Sequence, residues 1–236
     1  MTTTVSHHNH ISPATPLPLE PALREGLQQL GLTLSDAQIG ALLQYLALVG
    51  KWTQVYNLTA VRDPQEMLSH HLLDCLAIIQ PLQAHLAQAG LAEGADLLDV
   101  GAGAGLPGVV IAICCPQVRV SCVDTVAKKA AFVQQVAATL RLPNLRGVHA
   151  RVEKLQQRFD VITSRAFASL PDFTVWSRDS LAEQGVWLAM KGKVPDAEIA
   201  ALPAEVAVFH VEQLRVPRLE GERCLVWMKL GAAALG

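Results

Sequence analysis

The chain has 236 residues, 51% hydrophobic and 17% charged, with a formal net charge of -2. That length supports one ample α/β core with a small helical annex, and that composition excludes a disordered chain. No apolar run approaches the roughly 18 residues of a membrane span, and the weak acidity excludes a broadly basic coat for nucleic acid, so any RNA-binding surface must be local.

The first stretch, Met1 to Pro21, holds His7, His8 and His10, four prolines and several Ser and Thr. It lacks the charged-then-apolar layout of a signal peptide. Residues 1–20 read as a flexible tail in which a disordered polar role outweighs metal binding. Cysteines stand at 75, 114, 115, 122 and 224 with no C-x-x-C pair. They read as buried thiols of a reducing, cytoplasmic protein.

From Leu19 to Leu30 apolar residues recur at helical spacing, and Gly31 closes the segment. A second helix is expected from Ser35, with Gln38 completing a capping box, through Ile39, Leu42, Leu43, Leu46 and Val49. The stretch K-W-T-Q-V-Y-N-L-T, Lys51 to Thr59, follows. Trp52 and Tyr56 suit either base stacking, with Lys51, Asn57 and nearby Arg62 as RNA contacts, or packing of a helical annex at i and i+4. A third helix, Pro64 to Ile79, carries His70, His71 and Asp74 one turn apart. A hydrogen-bonded structural His–Asp pair is expected there, since no third metal ligand and no H-E-x-x-H is present.

Leu97 to Gly108 reads L-L-D-V-G-A-G-A-G-L-P-G: a buried parallel strand, a tight turn, and the start of a helix that Val109 to Ile113 continue. Gly101, Gly103 and Gly105 let the backbone take positive φ and approach a ligand closely. Gly103, Gly105 and Gly108 fit the dinucleotide pattern G-x-G-x-x-G, whereas Val109 and Val110 stand where a phosphate loop needs Lys and Ser or Thr. Asp99, two residues before the first glycine, would repel a pyrophosphate and attract a cation. That selects S-adenosyl-L-methionine over a nicotinamide dinucleotide. Asp124 ends the next strand, Val118 to Asp124, 19 residues after Gly105. That is near the spacing of about 20 at which a carboxylate reaches ribose hydroxyls, and a helix N-cap role is compatible with the same position.

Strand and helix then alternate, the mark of a doubly wound parallel sheet. Helix Ala127 to Leu140 precedes strand Leu145 to His149; strands follow at Phe159 to Ser164 and Val186 to Met190, and a hairpin of Val206 to Val216 with Cys224 to Lys229 ends the sheet. The expected fold is α/β, a seven-stranded, mostly parallel, Rossmann-like sheet over residues 91–236, with residues 21–90 as a helical segment packed on it. Asp99, Asp124, Glu153 and Arg165 should converge beyond the carboxyl ends of the strands. Lys51, Arg62, Lys191, Lys193 and Arg223 are candidate phosphate contacts, and each reads equally well as a solvated cation.

Together, K-W-T-Q-V-Y-N-L-T-A-V-R-D-P, H-H-L-L-D-C, D-V-G-A-G-A-G-L-P-G, R-V-E, S-R-A-F-A-S-L, L-A-M-K-G and L-E-G-E-R-C-L-V resemble the bacterial ribosomal RNA small subunit methyltransferase G family, formerly glucose-inhibited division protein B. The likeness runs from about residue 27 to residue 230. It implies a class I methyltransferase moving a methyl group from S-adenosyl-L-methionine to N7 of a guanine in 16S rRNA; a monomer that holds no metal and acts on the RNA, naked or in a small-subunit particle, is expected beside it. It further implies that Gly101 and Leu106 contact the cofactor, that Val152 and Glu153 hold its adenine side, and that Arg165 completes the pocket. The turn departs from the family's usual G-T-G-P-G at Ala102 and Ala104, and His70 and Cys75 stand where the family often has Arg and Ser.

Guanine N7 carries a lone pair and no proton, so the chemistry requires no general base; alignment and exclusion of water are the work. Arg165 can donate to O6 while leaving N7 free. Rival readings are a small-molecule methyltransferase, a nicotinamide-dependent oxidoreductase and a non-enzymatic binding module.

Overall fold

The structure, a computed structural model, describes residues 19–231. The readings of the tail, including His7, His8 and His10, lie outside the described residues, except that Leu19 and Glu20 already belong to the first helix, α1 (Leu19–Gln29).

Helix α2 (Asp36–Tyr56) starts on the expected capping box. The Ser35 side chain accepts from the Gln38 backbone N–H, and the Gln38 side chain accepts from that of Ser35. It does not stop at Val49 but runs through Lys51 and Trp52 to a left-handed cap at Asn57, φ 50°. Trp52 therefore lies 5.0 Å from Tyr56 on the next turn and 5.1 Å from Phe132 of the core, which is the packing role. Tyr56 remains 44% exposed beneath the Lys128 ammonium, 5.1 Å from its ring centroid.

Asp63 caps α3 (Pro64–Met67), accepting from Gln65 and Glu66 N–H. The expected single helix is interrupted. Leu68–Leu73 is π-helical, and α4 (Asp74–Leu76) resumes the α form before a separate α5 (Ile79–Gln88). A π turn adds one residue per turn and rotates the downstream helix about its axis relative to the upstream one. Pro81 sits in the first turn of α5, where its missing N–H costs nothing.

Seven strands form one sheet: β1 (Ala95–Val100), β2 (Val118–Asp124), β3 (Leu145–His149), β4 (Phe159–Arg165), β5 (Leu181–Lys191), β6 (Val206–Leu214) and β7 (Arg223–Leu230). Their order is β3-β2-β1-β4-β5-β7-β6, parallel as far as β5, with β7 antiparallel to both β5 and β6. Helix α6 (Gly108–Cys114) and α7 (Ala127–Leu140) connect β1 to β2 and β2 to β3. Helix α8 (Leu170–Ser177) follows β4, and α9 (Asp196–Ala200) follows β5. The strand order reverses between β1 and β4, and that is where open α/β sheets bind ligands.

Leu23, Leu42, Leu72 and Leu76 of the N-terminal helices share one buried cluster with Val109, Val110 and Phe132 of the sheet's helices. A second cluster, around Phe159, Phe173 and Trp187, fills the opposite face. All five cysteines are free and buried, as expected.

Candidate functional site

The loop after β1 is held by its neighbours. Gly101 N–H and Ala102 N–H both donate to Val123 O, at 2.9 and 3.2 Å, and the buried Tyr45 hydroxyl of α2 donates to Ala104 O at 2.7 Å. Gly101, Gly103 and Gly105 take φ of 67°, 58° and 87°, a region costly for any residue with a Cβ. A Cβ on Gly105 would lie 2.5 Å from Val109, whereas one on Gly103 would find nothing nearer than 3.9 Å. The space beside Gly103 is not filled by other atoms of the chain.

Asp124 binds this loop to the next one. Its Oδ2 accepts Gly103 N–H at 3.0 Å and its Oδ1 accepts Val126 N–H at 2.8 Å; the carboxylate ties the loop to the entry of α7 but is not the expected N-cap, a position that Val126 occupies. A cleft of about 440 Å³ opens above, with Gly101, Asp124, Val152 and Glu153 in its wall as expected. Phe167, Trp176, Lys129 and Arg151 also line it, although nothing in the sequence placed them there. The rings of Phe167 and Trp176 meet edge to face at 5.8 Å. Phe167 stood inside the S-R-A-F motif; no local signal marked Trp176.

Several expectations need correction. Asp99 does not face the cleft: it is fully buried beneath the loop, where Oδ2 accepts Gly108 N–H at 2.8 Å and Oδ1 has no partner among the described residues. Burial pushes its pKa up to about 7. Its task is to shape the turn from below. Leu106 and Gly105 are likewise buried and outside the wall, and Gly103, half-buried, does not line it either. The wall is also not dominated by acids, since Asp124 and Glu153 are balanced by Lys129, 3.8 Å from Asp124, and Arg151.

Arg165 is also displaced from its expected place. It lines a neighbouring cavity of about 450 Å³ rather than the first cleft. The two cavities share a single lining residue, Ala166, held in the left-handed region at φ 52°. Arg165 Nη1 donates to His70 O at 2.7 Å and to Asp74 Oδ2 at 3.0 Å, while Arg223 Nε donates to Asp74 Oδ1 at 3.1 Å. The π turn places Asp74 against these guanidinium groups, so neither expected His–Asp pair forms. His71 Nε2 instead lies 2.9 Å from Thr59 Oγ1, and burial pushes the imidazole pKa down to about 4. It is neutral at physiological pH. No cluster of metal-ligating side chains occurs among the described residues.

The candidate RNA contacts divide. Lys191 donates to Glu198 at 2.8 Å and to Ala168 O at 3.1 Å, so its charge is engaged internally. Arg62 donates to Asn57 Oδ1 at 2.9 Å on an exposed loop. Lys51 and Lys193 are exposed.

A family model described as rRNA small subunit methyltransferase G matches residues 38–226. A ribosomal RNA small subunit methyltransferase G of a Polaromonas species is 65% identical over 217 residues, covering 92% of this chain and 96% of that protein. One from an Acidovorax species is 67% identical over 214 residues, covering 89% and 95%. Among solved structures, a SAM-dependent methyltransferase from Aquifex aeolicus is 17% identical with a TM-score of 0.50, covering 72% of this chain and 94% of that one. TrmN from Thermus thermophilus, also 17% identical, has a TM-score of 0.51 over 70% of this chain and 53% of its own, so this chain spans about half of its length. These two likenesses show the shared class I methyltransferase fold. With four fifths of its length inside one family model and its glycine loop, Asp124 and Ala166 bordering two adjoining cavities, the chain belongs to the rRNA small subunit methyltransferase G family.

Proposed function

We propose that this protein transfers a methyl group from S-adenosyl-L-methionine to N7 of a guanine in 16S rRNA, acting as a cytoplasmic monomer on the RNA or on a small-subunit particle. The observation that carries the reading is the membership of the rRNA small subunit methyltransferase G family. The cleft suits the donor: the Gly101 backbone lies in its wall, the Asp124 and Glu153 carboxylates suit ribose hydroxyls and an ammonium, and Val126, Val152, Phe167 and Trp176 offer apolar contact to adenine.

The bound donor supplies an electrophilic methyl group whose bonding electron pair departs with sulfur. The chain's own residues hold the reactants. Asp124 keeps the loop and the β2 end in one piece, Glu153 and Val152 border the adenine side, and Gly101 with Asp99 below sets the loop's height. No side chain has to take a proton, because N7 bears none. Ala166 lines both cavities, so they adjoin at that residue, and there a base held in the second would meet the methyl group of a donor held in the first. Exposed Lys51, Arg62 with Asn57, and Lys193 are the proposed backbone-phosphate contacts.

Calorimetric titration with S-adenosylmethionine and with a nicotinamide dinucleotide tests the donor, and labelled methyl incorporation into small-subunit RNA tests the acceptor. Binding of the first ligand alone, with label in RNA, is expected. Dinucleotide binding would overturn the reading, and label appearing only in small molecules would favour the small-molecule alternative.

A further inference from the structure

Two guanidinium groups and a carboxylate converge in the second cavity from three parts of the chain. Asp74 comes from the end of the π turn, Arg165 from the end of β4 and Arg223 from the start of β7. Asp74 is only 5% exposed and both its oxygens are taken, one by each arginine. One negative charge between two positive ones leaves the cluster cationic. Lys191 adds little to it, being paired with Glu198.

The remaining donors matter most. Arg165 spends Nη1 on Asp74 and on His70 O; Arg223 spends Nε on Asp74 and Nη1 on Glu222 O. Arg165 Nε and Nη2 and Arg223 Nη2 have no partner among the described residues. Rigidly held, unspent guanidinium N–H groups recognise phosphate and carbonyl oxygens. A bidentate arginine on O6 and N7 together would block the nitrogen that must react. Only a single donor to O6 is compatible with transfer, and the other arginine remains for an anion.

We propose that this cavity is the acceptor-nucleotide subsite. On this assignment, which rests on the reading above, Arg165 donates to O6 of the flipped guanine and Arg223 holds an adjoining phosphate. Asp74 is the positioning residue that orients both guanidinium groups. Extruding the base from any stack is how enzymes that modify bases gain access, and a cavity of about 450 Å³ falls in the range of small-molecule sites.

The test measures dissociation constants for small ribosomal subunits and for S-adenosylmethionine separately, together with KM and kcat, on Arg223→Ala, Arg223→Lys and Asp74→Asn. Arg223→Ala should weaken RNA-particle binding and raise KM for it about tenfold, lower the salt slope by about one, and leave donor affinity within twofold. Arg223→Lys should restore the salt slope but only part of the KM, because a lysine keeps the charge without the fork. Asp74→Asn should lower kcat more than it raises KM, with donor affinity unchanged. Donor affinity falling in step with activity, or unaltered particle binding in folded Arg223→Ala, would overturn the subsite. A wild-type protein that binds the donor but methylates no small-subunit RNA would overturn the functional reading beneath it, a failure visible before any variant is made.

Discussion

Replacing Asp124 by Ala probes the loop's anchoring and the donor's seat in one step. The carboxylate is 8% exposed and accepts two backbone N–H groups, from Gly103 at 3.0 Å and Val126 at 2.8 Å. Hydrogen bonds to a charged group contribute roughly 1.5–3 kcal/mol each, so removing both should cost about 3 kcal/mol or more of stability. For a chain of this size that lowers Tm by roughly 6–12 °C. Donor binding should weaken by a separate amount, at least tenfold or about 1.4 kcal/mol, through loss of the ribose contact and displacement of Gly103. Asp124→Asn keeps one acceptor oxygen and should recover part of the stability but little of the affinity. Denaturant unfolding and calorimetry on the same samples separate the two effects. A stable Asp124→Ala protein with wild-type donor affinity would refute the reasoning.

Other outcomes rest on the same geometry. Burial raises the Asp99 pKa from 3.8 to about 7, so its native state prefers the neutral acid; that contribution is complete below pH 3.8 and is lost as pH rises through 7. The cost of the ionised form, on the order of 4 kcal/mol at most, should make Asp99→Asn gain stability relative to wild type between pH 5 and pH 8, and parallel denaturation profiles would contradict this. Gly101→Ala, at φ 67° with a Cβ 2.2 Å from the Phe167 ring, should cost about 1–2 kcal/mol in backbone strain and weaken the donor's dissociation constant several-fold; an unaltered constant would contradict the close approach. Lys51→Ala and Lys193→Ala should each reduce the salt slope of RNA binding by about one, uniformly across sequences, and an unchanged slope removes that residue from the interface.

The elements that position the site were legible because their signals are local. Buried parallel strands read as apolar runs, the Ser35–Gln38 box marks a helix start, and glycines at 101, 103 and 105 demand a turn. What the sequence hid depends on which way a side chain points. Asp99 sits on the strand before the turn, and only the packed structure shows it under the loop against Gly108 rather than in the cleft. The π turn at Leu68–Leu73 has no pattern in the letters, yet its extra residue gives Asp74 two arginines instead of a histidine. The placement of Arg165 has the same cause, since its partner was unknown. The cleft's charge was misjudged because Lys129 and Arg151, one on a helix and one on a loop, reach the wall alongside the acids.

The most direct measurement is the mapping of 7-methylguanine in 16S rRNA after small-subunit particles lacking the modification are incubated with the protein and S-adenosylmethionine. The account predicts a methyl group on N7 of a single guanine, appearing only with protein and donor both present. Particles that stay unmodified while the protein remains folded and donor-bound, or a methyl group on another atom, would contradict it.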